Sequence, residues 1–328
     1  PQTPNPKPQT PNPKPLYIIQ PHPIYHYYQM AIIEDRTKGR LFGCGAMLIF
    51  TFCFYWIKQC KSPPSTTALL RGIGDIILVL AHTRYNGERL FDNWQSVNVC
   101  LLRAFFGSFT VFAINVGSKL VKISVFSVIT RLQTVVMTLL GIYFLGNKFS
   151  WKVMMACGLS LLGVILVVSP GLLGLGGGKG LDLDWTPGEI LGVICGFVFV
   201  LSDSLSYIML TKMAGKMSMY QVLFYLNIGI TISNGLVMMK RGESLTMYWS
   251  DAFYYIAIIL GFYFGQLVFT IGARHEPNVG VQAVLQSTFV LYSLLIDVFM
   301  AGNSVSLINY VGCAVVTVAS VWAVLLKA

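Results

Sequence analysis

ISVFSVITRLQTVVMTLLGIYFLGNKFSWKVMMACGLSLLGVILVV, residues 123–168, and VGVQAVLQSTFVLYSLLIDVFMAGNSVSLINYVGCAVVTVASVWAV, residues 279–324, superpose position by position without a gap. Each is a long apolar segment, a Gly-Asn-x-x-Ser hairpin (Gly146 to Ser150, Gly302 to Ser306) and a second apolar segment, with Cys157 falling on Cys313. Apolar runs of about 20 residues match the thickness of a hydrocarbon core. Paired repeats of such runs are the sequence trace of transporter-type folds.

Working outward, the whole chain has the same character. It is 55% hydrophobic and 11% charged, whereas a soluble domain carries about 25% charged residues. Ten spans are predicted, at 41–58, 66–83, 97–118, 123–146, 151–170, 188–211, 219–239, 250–272, 278–302 and 306–326. They must be helices, because lipid offers the backbone no hydrogen-bond partner. The expected fold is therefore an all-α membrane protein of about ten transmembrane helices in two inverted five-helix repeats, 41–170 and 188–328. Residues 171–187 join the halves. Their Gly174-to-Gly180 run lacks the Ser or Thr of a phosphate-binding loop after Lys179 and follows a span, not a strand, so a flexible linker is expected. Thr186, Pro187 and Glu189 then form a capping-box start.

Residues 1–40 differ in composition. Pro-Gln-Thr-Pro-Asn-Pro-Lys occurs twice in tandem before Pro15, which predicts an extended, polyproline-like arm. Tyr17, His22, Tyr25, His26, Tyr27 and Tyr28 follow in a juxtamembrane segment. Two roles are open for residues 1–28: a solvated tail with an aromatic belt at the headgroups, or an arm docked on a protein partner.

The net charge of +10 comes mainly from loop residues, without a nucleic-acid-binding motif, so membrane lipid and not nucleic acid is the expected surface partner. The side shared by both termini holds more of this charge, Arg36, Lys38, Arg40, Arg84, Lys148, Lys212 and Arg274 included, which predicts that the termini face cytosol or matrix. Golgi, endoplasmic reticulum and mitochondrial inner membrane all fit. The seven cysteines are scattered, without Cys-x-x-Cys, as small buried hydrophobes are; no metal site and no cofactor is expected.

The repeat segments, together with GQLVFTIGARHEPNVGVQAVLQ over residues 265–286, resemble the drug/metabolite transporter superfamily in its EamA and nucleotide-sugar-transporter region. The resemblance extends in layout over 41–327 and is carried by 97–172 and 250–327. It implies a central cavity opening alternately to each side, with substrates among nucleotide sugars, phosphorylated metabolites, amino acids and amphipathic drugs. Two features depart from many members: Asn147 and Asn303 replace the hairpin glutamate, and Thr134 and Val290 stand where a proline is common. No proline lies inside any predicted span, so unbroken helices are expected.

Ionisable residues within spans cost roughly 2.5–3.5 kcal/mol each to insert and so mark cavities or partners. Arg131, well inside the fourth span, is the leading substrate-binding candidate, followed by Arg103, Gln133 and Gln286; the resemblance implies that Arg131's helix lines the cavity. Arg103 also lies close enough to its span's start to snorkel. Asp203 is a candidate coupling carboxylate or internal counter-ion of Arg131 or Arg103. Arg71 and Asp75, four apart, form either a self-neutralised pair or part of the coupling set. Asp297 fits an interface position. Tyr207, Tyr263, Gln266, Gln282 and Ser287 are uncharged candidates for helix–helix bonds or cavity lining. No HExxH or GxSxG pattern occurs and no catalytic residue is assigned.

The expected function is a secondary transporter that moves a small anionic metabolite by alternating access. The alternative is a transporter-like fold recruited as a structural subunit of a larger membrane complex, suggested by the proline-rich arm and the missing family residues.

Overall fold

The structure, a computed structural model, describes residues 23–88, 90, 94–120, 126, 129–172, 186–213, 216–242, 245–300 and 307–325. The tandem proline repeat, most of the glycine-rich linker and the second Gly-Asn hairpin lie outside the described residues, as does the side chain of Asp297. In chain order the helices are α1 (Pro23–Gln59), α2 (Pro64–Asn86), α3 (Trp94–Leu120), α4 (Gln133–Leu145), α5 (Trp151–Leu172) and α6 (Pro187–Met213). There follow α7 (Met219–Arg241), α8 (Ala252–His275), α9 (Val279–Gln286), α10 (Thr288–Phe299) and α11 (Leu307–Leu325). A 3-10 turn at Trp249–Asp251 leads into α8, and no strand occurs among the described residues. Among the described residues, eight helical stretches are long and apolar enough to cross a membrane, α9 and α10 counting as one, and Ile129–Leu145 and Trp151–Val167 are shorter apolar helices. This is an all-α integral membrane protein of about ten spans.

Helix ends are set by local chemistry. Thr186 Oγ1 accepts Glu189 N–H at 3.3 Å and Glu189 Oε2 accepts Thr186 N–H at 2.9 Å, the reciprocal cap expected from sequence. Ser218 and Gln221 form the same device at α7. In the quoted hairpin, Gly146 ends α4 at φ 67, a left-handed conformation that a side chain would strain.

Two sequence expectations change. The first helix does not start near residue 41 but at Pro23, so Tyr25, His26, Tyr27 and Tyr28 are helical. Proline is permitted in the first turn of a helix, where its missing N–H has no partner to lose. No further proline occurs until Pro63. The fourth and ninth spans are also interrupted, without proline. Leu132 N–H bonds to Ile129 C=O and Ser287 N–H to Val284 C=O, both at 3.0 Å. Val135 N–H to Leu132 C=O and Val290 N–H to Ser287 C=O, again 3.0 Å, complete matching 3-10 turns in the two halves.

Helix packing obeys the repeat. The contact of α3 with α6 is answered by that of α1 with α8, and α3 with α7 by α2 with α8. The contact of α4 with α6 is answered by α1 with α9 and α10. The pairs α2–α7, α4–α9 and α5–α11 join equivalent helices across the pseudo-twofold axis. Five crossings per half is an odd number, so the second half enters from the face opposite the first. The face bearing the start of α3 and the ends of α2, α8 and α11 is termed terminal, and that of the α1–α2 turn distal. Outer faces are apolar, as Phe105, Phe109 and Phe112 on α3 show, while Arg103 on the same helix is buried. This inside-out arrangement suits lipid.

Gly163 and Gly312 allow α5 and α11 to meet at backbone distance. A Cβ at Gly312 would stand 2.6 Å from Gly163 O and Val167 N, and one at Gly163 2.9 Å from Gly312 O. Small residues at such crossings replace the hydrophobic drive that lipid removes. Gly312→Val is expected to destabilise the fold by about 1–3 kcal/mol, seen as a lower melting temperature and less monodisperse protein in detergent. Gly158→Ala, with nothing within 4 Å, is the neutral control. Equal melting temperatures for the two variants would contradict the close crossing.

Candidate functional site

A cavity of about 540 Å³ occupies the centre of the bundle. It is framed by α1, α2, α3, α6, α7, α8 and the interrupted spans α4 and α9–α10. Arg71, Arg103, Arg131, Gln133, Asp203 and Gln286 all line it. Of the substrate-binding and coupling candidates named from sequence, Asp75 alone is outside this lining. It is fully buried and holds Arg71 Nε at 3.6 Å. That distance makes an ion pair without a hydrogen bond, and the Asp75 oxygens and Arg71 Nε have no hydrogen-bond partner.

The two helix interruptions supply the centre. Gln133, the first residue of α4, donates from Nε2 to the Asp203 carboxylate and, at 3.3 Å, to Gln286 Oε1. One amide thus links α4, α6 and α9. Arg131 stands just before the interruption at Leu132, with its guanidinium 5.1 Å from the Phe289 ring centre. Phe289 is the repeat equivalent of Gln133, so the two half-site chemistries meet across the pseudo-axis. Arg71 lies 3.5 Å over the Phe262 ring. Such cation–π contacts hold a guanidinium without consuming its N–H groups.

Arg103 is buried among α3, α6 and α7 and does not snorkel to the interface. Its Nη1 makes a long 3.5 Å bond to Val222 O. Both Arg103 and Arg131 are in electrostatic reach of Asp203. Since Asp75 balances Arg71, two arginines face one carboxylate and the centre holds surplus positive charge. The Nε atoms of Arg103 and Arg131, the Tyr207 hydroxyl and Gln266 Oε1 are buried without hydrogen-bond partners. A buried unpaired donor costs about 1–3 kcal/mol, more when charged. An acceptor-rich anion would recover that cost.

The cavity runs distally to Tyr55 and the exposed Lys58 near the end of α1. Sequence did not single out Lys58, and missed the aromatic platforms Phe262 and Phe289. Its uncharged candidates divide: Tyr207 and Gln266 line the cavity, whereas Gln282 is a terminal-side strut, donating to Gly39 O and Gly272 O at 3.4 and 3.3 Å. Tyr263 bonds His82 Nδ1 at 3.1 Å, and His82 Nε2 is 2.7 Å from Tyr220 OH.

On the terminal side lies a polar cluster that sequence also missed. Arg40 Nε donates to Glu276 Oε2 at 2.6 Å with both side chains buried, and Arg40 Nη1 donates to Val324 O. Glu276 Oε1 accepts Asn278 N–H at 3.0 Å. Arg274 donates to Met217 O and Ser218 to Glu88. At Gly39 an added Cβ would come 2.8 Å from Glu276 N. No local signal marks the Arg40–Glu276 pair, whose members lie 236 positions apart.

Comparison with known proteins follows the same lines. Residues 37–169 match the EamA-like transporter family. No curated protein matches the chain in sequence. A solved structure described as "Crystal structure of protein" superposes with a TM-score of 0.73 at 16% identity, covering 87% of this chain and 96% of that one; at that identity the likeness speaks for the fold. The match to the EamA-like transporter family covers residues 37–169 and is consistent with the helical membrane architecture.

Proposed function

We propose that this protein is a secondary transporter that moves a small organic anion across the membrane by alternating access. The observation that carries the reading is the pair of buried guanidinium Nε groups, on Arg103 and Arg131, left without partners beside an open cavity. Arg131 and Arg103 would hold the anionic group, with geometry suited to carboxylate or phosphate. Gln133 and Gln286 would orient it, and the aromatic walls would take an apolar body. Asp203 would act as the counter-ion that substrate displaces, and Arg71 with Asp75 would be a second charge-balanced element at the cavity wall. Membrane lipid is the surrounding partner.

In this reading the conformation described is open distally and closed terminally. With the termini on the cytosolic or matrix side, the cavity faces away from that compartment. The cluster of Arg40, Glu276 and Val324 would then be the terminal gate. A gate of buried ions suits a two-state device, since breaking one partner of a buried ion pair costs about 3–5 kcal/mol while separating both into water costs far less.

Reconstituted protein should take up or exchange a labelled organic anion, and Arg131→Ala should lower the rate at least tenfold, with Arg131→Lys retaining part of it. Absence of uptake across a broad panel of carboxylates and phosphate esters would favour the structural-subunit alternative.

A second test addresses the gate. Glu276→Gln keeps an oxygen for Asn278 N–H but removes the charge facing Arg40. A cysteine placed at Leu210 should react with a charged thiol reagent from the terminal side several-fold faster in the Glu276→Gln background than in the parent. Unchanged reactivity would mean that the pair is a fixed weld.

A further inference from the structure

Outside the cavity lining, the terminal end of the α3–α6 contact gathers sulfur. Cys100 Sγ lies 3.1 Å from Met213 Sδ and 3.3 Å from Met217 Sδ. Exposure is 1% for Cys100, 2% for Met213 and 5% for Met217. The three donors come from three places: an early turn of α3, the last residue of α6, and the turn before α7. The Met217 backbone is held in place, because its carbonyl accepts from Arg274 and the next residue, Ser218, is the N-cap of α7.

Among the described residues no three His, Cys, Asp or Glu side chains converge, so the hard and borderline donor sets of zinc or iron are missing here. One thiol and two thioethers form a different set. Thioethers are weak acceptors for N–H or O–H donors but ligands for soft ions; thiolate and thioether donors favour Cu(I), zinc and iron–sulfur centres, and a set of one thiolate and two thioethers suits Cu(I) among these. The surrounding shell, Val97, Met137, Tyr207 and Met209 among others, is apolar and would exclude water from such an ion.

We propose that Cys100, Met213 and Met217 form a three-coordinate site for one monovalent thiophilic ion, Cu(I), for which Ag(I) is a redox-silent probe. On binding, the Cys100 S–H bond breaks, a metal–sulfur bond forms and the proton leaves to solvent, with no electron transferred. The thiolate neutralises the ion, so the buried complex adds no net charge and avoids the desolvation cost of an isolated cation. Methionine is unbranched and flexible, so the two thioethers can swing outward to bonding distance without moving the helices. The bound ion would tie the start of α3 to the α6–α7 turn, independently of any anion in the cavity.

The test uses the full chain in detergent under anaerobic conditions, loaded with Ag(I) and washed with a competing chelator. Retention of one equivalent that is lost in Met213→Leu/Met217→Leu and in Cys100→Ala, but kept in Cys157→Ala, is expected. Leucine is close to methionine in volume, so packing is conserved. Ag(I) should also raise the melting temperature of the parent protein, as a ligand of the folded state does. A double-leucine variant that retains the same equivalent, or a parent that retains none, would overturn the proposal and leave the cluster as core packing. If the variants fold poorly, X-ray absorption of the Cu(I)-loaded parent decides: a shell of three sulfurs supports the site, and any nitrogen, oxygen or two-coordinate shell overturns it.

Discussion

A polypeptide in hydrocarbon must satisfy every backbone N–H and C=O within itself, and this constraint governs the rest of the molecule. It makes all spans helical, drives polar side chains inward and puts small residues where helices cross, as at Gly163 and Gly312. It also makes the interruptions at Leu132 and Ser287 conspicuous. Backbone irregularity at membrane depth is tolerated where it is buried in protein or borders a cavity, and both interruptions border this one through Arg131, Gln133, Gln286 and Phe289. The polar centre is therefore sited where the helical rule is locally relaxed.

Around that centre a symmetric scaffold carries asymmetric chemistry. Arg131 superposes on Ser287, and Gln133 on Phe289. The first half contributes the cation and the amide; the second contributes the ring over which that cation lies. Duplication explains the paired interruptions and the exchange-symmetric helix contacts, while divergence at single positions supplies the charge.

Much of the fold is legible in sequence because its determinants are local. Span length follows from membrane thickness, the Thr186–Glu189 cap from a three-residue spacing, and the Arg71–Asp75 proximity from helical periodicity. The intramembrane arginines and Asp203 are legible as a set for a related reason: charge inside an apolar run needs a cavity or a partner. What escaped depends on distant segments. Arg40 reads as loop charge until Glu276 and Val324 are brought to it, and Phe262 is one apolar residue among many until Arg71 lies on its face. The helix interruptions escaped because proline is a sufficient cause of a break and not a necessary one.

The length of α1 has a mechanical consequence. Its 37 residues make a rod of about 55 Å at 1.5 Å per residue, against a hydrocarbon core of about 30 Å. The apolar run of α1 begins at Leu41, so the part of the rod from Pro23 to Arg40 lies beyond that run on the terminal face. Arg40 lies near the point where the rod emerges and is clamped to α8 and α11. The projecting part is thus a lever with its fulcrum at that clamp. A sideways force of given size at its tip exerts a larger torque on the ion pair than the same force applied at the membrane surface. Whatever the tip touches outside the bilayer gains a mechanical advantage over the closure inside it.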